Sequence, residues 1–185
     1  MSNNIGNKTI FLSSQMSLQK YKNFLVMKGA YGILKIQIKI PLYITFKNLA
    51  LFLKISNLKS NNFKFKSMWG TYRMLIANNL IGLFKLHFCK LKFIGVGYKA
   101  IFKKSNLILR LGFSHKIFCT IPNNLIIKKI KKRPPIFLLK SFDFEIIQKV
   151  SNQIRMFKKP EPYKGKGILF INEIIKRKQG KKSKN

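Results

Sequence analysis

The stretch Leu34-Lys35-Ile36-Gln37-Ile38-Lys39-Ile40 carries an apolar residue at every second position, with Lys35, Gln37 and Lys39 between them. A period of two puts the apolar side chains on one face of an extended chain, so the segment reads as a half-buried strand. Pro41 cannot donate to a ladder and ends it. Upstream, Asn23 to Lys28 reads as another strand and Gly29-Ala30-Tyr31-Gly32 as the turn between the two. Downstream, the apolar run Leu49 to Ile55 supplies a third strand before a polar loop at residues 56–60. Residues 1–20 mix Asn, Ser, Gln and Lys without a period and read as a loose arm.

From Ser67 the spacing changes. Trp69, Tyr72, Leu75, Ile76, Leu80 and Leu83 recur at intervals of three and four, as on one face of a helix, with Gly82 a candidate late break. The plan then repeats. Leu91 to Tyr98, Leu107 to Leu111, Lys116 to Ile121, Leu125 to Ile130 and Ile136 to Lys140 read as strands, punctuated by Pro122 and Pro134-Pro135. Ile146, Val150, Ile154 and Phe157 return to helical spacing. Ser141 is placed to cap that helix, and Asp143 and Glu145 fall in its first turn, where the helix dipole favours negative charge. Strands then one helix, twice, predict an α+β fold of two duplicated small domains, each an antiparallel sheet with a helix packed on one face. The expected organisation is an arm over 1–20, a first domain over 21–89, a second over 90–175 and a basic tail over 176–185.

Charge narrows the function. The chain has 185 residues, with 38 Lys and Arg against four acids and a net charge of +34. Its 46% hydrophobic residues, 17 of them Phe, are enough for a packed core and exclude a wholly disordered basic tail. Solubility needs a net charge of only about 2–8, so the excess implies a polyanionic partner. The acids are Asp143, Glu145, Glu161 and Glu173, too few and too clustered to favour a paired-carboxylate hydrolase or a carboxylate metal cage. Cys89 and Cys119 form no CxxC pair, and His87 and His115 make no metal-ligand spacing with them. Buried thiols in a reducing or indifferent compartment are expected, with neither cofactor nor metal.

Lysines interrupt every apolar run before ~18 residues, so no membrane span is predicted. The opening Met1 to Lys8 has no apolar core of a signal peptide and no arginines of a transit peptide, and the expectation is a chain made where it works. Arginine occurs only at Arg73, Arg110, Arg133, Arg155 and Arg177, while Ile, Phe, Asn and Lys abound together. That usage fits an A+T-rich organellar or endosymbiont genome.

Two motifs fail on context. Gly95-Val96-Gly97-Tyr98-Lys99-Ala100 matches a dinucleotide fingerprint superficially, but a lysine-bearing strand follows in place of a helix, and the acid needed for a ribose is missing. Gly165-Lys166-Gly167 lacks the spacer and hydroxyl residue of a phosphate loop. His115 has no acid nearby to orient it as a base, and its adjacency to Ser114 is poor geometry for a triad. The strongest signal is Arg155-Met156-Phe157-Lys158-Lys159-Pro160-Glu161-Pro162-Tyr163-Lys164-Gly165-Lys166-Gly167. Prolines stiffen this segment, lysines supply charge, a tyrosine ring can stack and glycines remove bulk. The tail from Lys176 to Asn185 has no apolar period and reads as disordered when free and ordered on RNA.

The string Pro160 to Ile168, followed by Glu173 and Lys178, closely resembles the signature of the protein-six family of the large ribosomal subunit. Three blocks agree in order and spacing: Gly70-Thr71-Tyr72-Arg73 with Asn78 and Gly82, Phe93 to Ala100, and Leu109 to His115. Earlier, only Val26 to Gly32 is similar. The resemblance implies duplicated α+β domains without catalytic activity, bound to large-subunit rRNA near the sarcin–ricin loop and the base of the factor-binding stalk. Its partners would be that rRNA, neighbouring large-subunit proteins and, transiently, translational GTPases, with no small-molecule substrate. The expected contact residues are Arg155, Lys158, Lys159, Tyr163, Lys164, Lys166, Arg177, Lys178, Lys181 and Lys182, with Pro160 and Pro162 fixing the path and Gly165 and Gly167 admitting close backbone approach. Arg73, Lys99, Ser114 and His115 are secondary candidates. The chain departs from the family at Lys116, Leu169 and the helix-opening block Ser141 to Glu145. A mitochondrial ribosome is the expected location, with a plastid or an endosymbiont cytoplasm as alternatives, and a general nucleoid-type cationic protein is the rival function.

Overall fold

The computed structural model describes residues 8–39, 42–47, 50–55, 63–103 and 105–180. The chain divides into two units, Met1–Leu86 with Phe142–Phe144, and His87–Ser141 with Glu145–Asn185. In the first, the strands are β1 (Ile10–Phe11), β2 (Ser17–Tyr21), β3 (Phe24–Gly29), β4 (Gly32–Gln37), β5 (Leu42–Lys47) and β6 (Ala50–Ile55), followed by helix α1 (Phe63–Phe84). They form two antiparallel three-stranded sheets, ordered β2-β3-β4 and β1-β6-β5. The alternation through Leu34 and Ile36 puts both half inside, and Ile38, just past β4, is buried.

Part of the expected loose arm is structured, which corrects that reading. Ser17 to Tyr21 pairs along β3, and Ile10 pairs with Leu51 and is buried. Backbone pairing orders these residues, and it leaves no trace in an aperiodic side-chain pattern. β5 also escaped the sequence reading. Residues 1–7 of the arm, Pro41 and the loop at 56–60 lie outside the described residues.

Helix α1 buries Tyr72, Ile76, Ala77, Leu80 and Leu83 in one core with Leu25, Met27, Leu51 and Leu53. Each fully buried Leu or Ile contributes about 1.5–3 kcal/mol by leaving water. The helix runs through Gly82 without the candidate break. Two polar contacts register it on the sheets: Trp69 Nε1 donates to the Leu53 carbonyl at 3.0 Å, and the Lys39 N–H donates to Tyr72 Oη at 3.1 Å.

The second unit contains β7 (His87–Ile94), β8 (Lys99–Lys103), β9 (Asn106–Arg110), β10 (Ile117–Thr120), β11 (Ile126–Lys131), β12 (Ile136–Ser141), helix α2 (Phe144–Phe157) and β13 (Gly167–Phe170). One antiparallel sheet is ordered β10-β9-β8 and the other β11-β12-β7-β13. The class is α+β with antiparallel sheets, as predicted, and among the described residues each unit has one helix and strands divided between two sheets where a single sheet was expected. Helix α2 buries Ile147, Val150, Ser151 and Ile154 in a core with Leu91, Phe93, Leu107, Leu109, Leu139 and Ile168. Phe93 and Phe137 meet edge to face there, at 5.6 Å between centroids.

Ser141 is the last residue of β12, paired with His87 and buried, and the helix opens at Phe144, with Asp143 immediately before it. The expected apolar stripe shifts accordingly, and Ile146 and Phe157 are only half-buried. Burial pushes the Cys119 thiol up from its ordinary value, and it does the same at half-buried Cys89, partly offset by a hydrogen bond with Ser151.

A Cβ added at Gly29 would lie 2.8 Å from Leu83 Cβ and 2.9 Å from the Leu83 carbonyl oxygen, so β3 and α1 meet there without room for a methyl group. Gly29→Ala is expected to cost about 1–3 kcal/mol through overpacking. Urea unfolding of the full chain, compared with wild type, checks it.

Candidate nucleic-acid interface

Beyond α2 the chain makes a closed loop. The Glu161 N–H donates to the Lys166 carbonyl at 2.8 Å, Gly165 N–H to the Glu161 carbonyl at 3.0 Å, and Ile168 N–H to the Lys158 carbonyl at 2.9 Å. Lys178 N–H then reaches back to the Pro162 carbonyl at 3.0 Å. Pro160 and Pro162 lie within this closure, and the Pro162 carbonyl takes part in it. Arg177 and Lys178 are correspondingly tied down, which corrects the reading of the whole tail as disordered when free. Lys181 and Lys182 lie outside the described residues.

Gly165 and Gly167 serve this closure. Both have positive φ, +68° and +145°, where an L side chain is strained. A Cβ on Gly167 would stand 2.6 Å from Pro160 Cα, and one on Gly165 would meet the Arg177 guanidinium at 3.3 Å. Both glycines are buried. In this closure they admit the chain's own backbone and the Arg177 side chain.

Arg155 has a partner within the chain. Its guanidinium forms a two-pronged ion pair with Glu173, with Nε 3.0 Å from Oε2 and Nη2 against Oε1, and the Phe170 N–H donates to the same Oε2 at 3.2 Å. These bonds hold the Glu173 carboxyl below its ordinary value, chiefly through the Arg155 guanidinium, and push Arg155 higher. Its charge is thereby matched inside the protein, joining the last turn of α2 to the chain after β13.

The remaining cations face outward. Lys159, Lys164, Arg177 and Lys178 are exposed, Lys158 and Lys166 are half-buried, and the Tyr163 ring is 53% exposed. Lys158 Nζ lies 4.5 Å from the Phe113 ring centroid, and Phe113 stacks on His115 at 5.9 Å and 19° between planes. The expected secondary candidate His115 is therefore brought to the end of α2, together with Phe113, a link invisible in a sequence separation of more than forty residues. Ser114 is exposed beside them. Lys99 lines a groove of about 600 Å³ with Tyr98, Lys129, Lys132, Arg133 and Pro134. Burial first, and the Glu161 carboxylate second, raise the Tyr98 phenol. Arg73 belongs to the first unit, where it donates to the carbonyls of Lys8 and Thr9 at 3.3 and 3.4 Å. Leu169, a departure from the family signature, is buried in β13.

Strand β8 follows Gly97, and Gly95 accommodates the Tyr98 ring, which a Cβ would meet at 2.6 Å. Among the described residues no three His, Cys, Asp or Glu side chains are grouped to hold a metal ion, and no helix is long and apolar enough to cross a membrane. The arrangement can bind anions through ammonium groups and stack a ring.

The chain is also similar to known proteins. A family profile described as Ribosomal protein L6 matches residues 94–170. The chain is 36% identical over 184 residues to the large ribosomal subunit protein uL6m of Reclinomonas americana, covering 96% of this chain and 98% of that one. It is 35% identical over 182 residues to uL6 of Karelsulcia muelleri, covering 97% and 98%, and 39% identical over 181 residues to uL6 of Mycoplasma genitalium, covering 96% and 95%.

Because Glu173 is held below its ordinary value of 4.5, its ion pair stabilises the fold fully above that pH and is lost as pH falls through the lowered folded-state value. Glu173→Gln is expected to cost about 1.5–3 kcal/mol at pH 7. The gap from wild type should narrow progressively as pH falls below 4.5, as read from urea midpoints. Gly167→Ala, which puts a methyl group into the Pro160 backbone at an unfavourable φ, is expected to lower stability more than Gly180→Ala, whose Cβ meets nothing within 4 Å. The same urea midpoints check that order.

Proposed function

The chain belongs to the ribosomal protein L6 family, non-enzymatic structural components of the large ribosomal subunit, and from that premise we propose that it binds large-subunit rRNA through the clamped segment from Lys158 to Lys178. The observation that carries the reading is a loop closed by four backbone hydrogen bonds that leaves Lys159, Tyr163, Lys164 and Lys178 exposed. A rigid loop loses little conformational entropy on binding. Lysines on it neutralise phosphates and release counterions, and an exposed tyrosine offers a stacking surface for an unpaired base. Lys158, Lys166 and Arg177 extend the same surface. Lys181 and Lys182 continue its charge in sequence, and Phe113, Ser114 and His115 flank it.

The RNA element is the region of the sarcin–ricin loop and the base of the factor-binding stalk, with translational GTPases as transient neighbours and adjacent large-subunit proteins as permanent ones. The location is the mitochondrial ribosome, supported by the uL6m relative and by a lysine- and isoleucine-rich usage suited to an A+T-rich organellar genome.

Sedimentation of organelle lysate at moderate and then high salt tests the assignment: the protein should travel with the large subunit, and migration with DNA or in the light fractions beside intact subunits would overturn it. Lys164→Glu with Lys166→Glu should reduce incorporation of tagged protein into subunits several-fold more than Lys35→Glu with Lys39→Glu. Equal defects would refute the primacy of the clamped segment.

A further inference from the structure

Across β11, β12 and β7 the sheet of the second unit has two faces of unlike character; at β13, Leu169 beside Lys92 is buried, Lys90, Lys92 and Lys140 are half-buried, and Lys128 and Lys131 are exposed. One carries Leu91, Phe93, Phe137, Leu139 and Ile168 into the core against α2. Residues directly opposite one another in an antiparallel ladder share a face, so the pairing defines the other face row by row. The first row, across β11, β12 and β7, is Ile126, Lys140, Phe88; the second is Lys128, Leu138, Lys90; the third is Lys131, Ile136, Lys92. Lysine and apolar residues alternate along the rows. Five ammonium groups, of Lys90, Lys92, Lys128, Lys131 and Lys140, share this surface, and no carboxylate occurs in any of the three strands.

A β-bulge assembles part of the set. The register shifts between Lys129 and Lys131, leaving Ile130 as the extra residue. Without it, the strand period would put Lys131 beside Lys129, on the face of Phe137, where the Lys129 ammonium lies 5.9 Å from that ring. With it, Lys131 pairs with Ile136 and joins Lys128 on the outer face. Neighbouring strands are ~4.8 Å apart and alternate residues of one strand ~6.6 Å apart, so the charges form a patch about 10 Å wide. Such a cluster repels itself unless an anion lies on it. The Phe88 ring is 60% exposed at its rim, with Lys90 Nζ 5.8 Å from its centroid.

We propose that the outer face of the β11-β12-β7 sheet is a second RNA-binding platform, separate from the clamped Lys158 to Lys178 segment, on which phosphates of a looped or single-stranded rRNA segment lie against Lys90, Lys92, Lys128, Lys131 and Lys140 while Phe88 stacks a base. Charge complementarity selects a polyanion, and the exposed aromatic ring among the lysines selects one with unpaired bases over an acidic protein. This inference rests on the rRNA-binding reading above.

The test is filter binding of the full-length chain to large-subunit rRNA over a range of salt. Each phosphate contact contributes roughly 0.7–0.9 to the slope of log affinity against log salt. Changing all five platform lysines to Gln should therefore reduce the slope by about 4. A charge-matched control, Lys8, Lys22, Lys28, Lys39 and Lys85 to Gln, all exposed lysines of the first unit, should reduce it far less. Phe88→Ala should weaken binding about tenfold with the slope intact. Lys128→Gln with Lys131→Gln, confined to edge strand β11, should reduce the slope by about 1.5 and leaves the sheet interior untouched.

Equal slopes for the platform and control variants would overturn the platform while leaving the clamped segment standing. So would crosslinks from the platform of intact subunits that reach only an acidic protein. Failure of the rRNA-binding reading would look different: wild-type chain would show no preference for large-subunit rRNA over unrelated duplex, whatever the platform variants do.

Discussion

Thirty-eight cations and four carboxylates leave the chain almost no internal counter-charge, and three of those carboxylates sit at the two ends of α2. Glu173 takes Arg155 in a two-pronged ion pair at the end of α2, while Asp143 and Glu145 stand at its beginning, where they complement the helix dipole. Charge-assisted, bidentate hydrogen bonds are among the stronger polar interactions available to a protein. Here they join α2 to the chain after β13, and the return of Lys178 to Pro162 completes the clamp. The loop between is held in shape before any partner arrives.

The same scarcity of acids shapes the exterior. Lysines that cannot be paired internally are displaced to water-facing positions, while the opposite faces of the same strands build the cores. The result is a protein whose interior resembles that of any small α+β unit and whose surface repels itself. A partner that binds the native chain stabilises it by mass action, and a polyanion also removes the self-repulsion. Membership of a ribosomal protein family supplies a setting in which such a surface is neutralised.

Much of this was legible without coordinates. The alternation beginning at Leu34 and the helical spacing from Trp69 to Leu83 predicted elements that form, the strand ending at Gln37, because both periods arise from the local geometry of the backbone. The charge imbalance predicted a polyanionic partner, and the ordered string from Pro160 to Ile168 pointed to the family that the comparisons show. Other features were not legible. Ser141 reads as part of a helix start, and only the structure shows that β12 runs through it opposite His87; the aperiodic residues 17–20 look loose until β3 is seen beside them. Gly165, Gly167 and Arg155 looked like groups turned toward RNA, and each has its partner within the chain.

The sequence by itself determined the elements, the charge and the family, since these follow from neighbouring residues and from composition. Tertiary structure alone decided which cations remain free and which residues share a surface. Arg155 is matched because Glu173 lies opposite it, eighteen residues on. Lys131 joins Lys90, Lys92, Lys128 and Lys140 because one extra residue at Ile130 reverses the parity of β11 against β12. A strand's period says that its side chains alternate, but only the strand paired with it says which of them face the same way as residues forty positions distant.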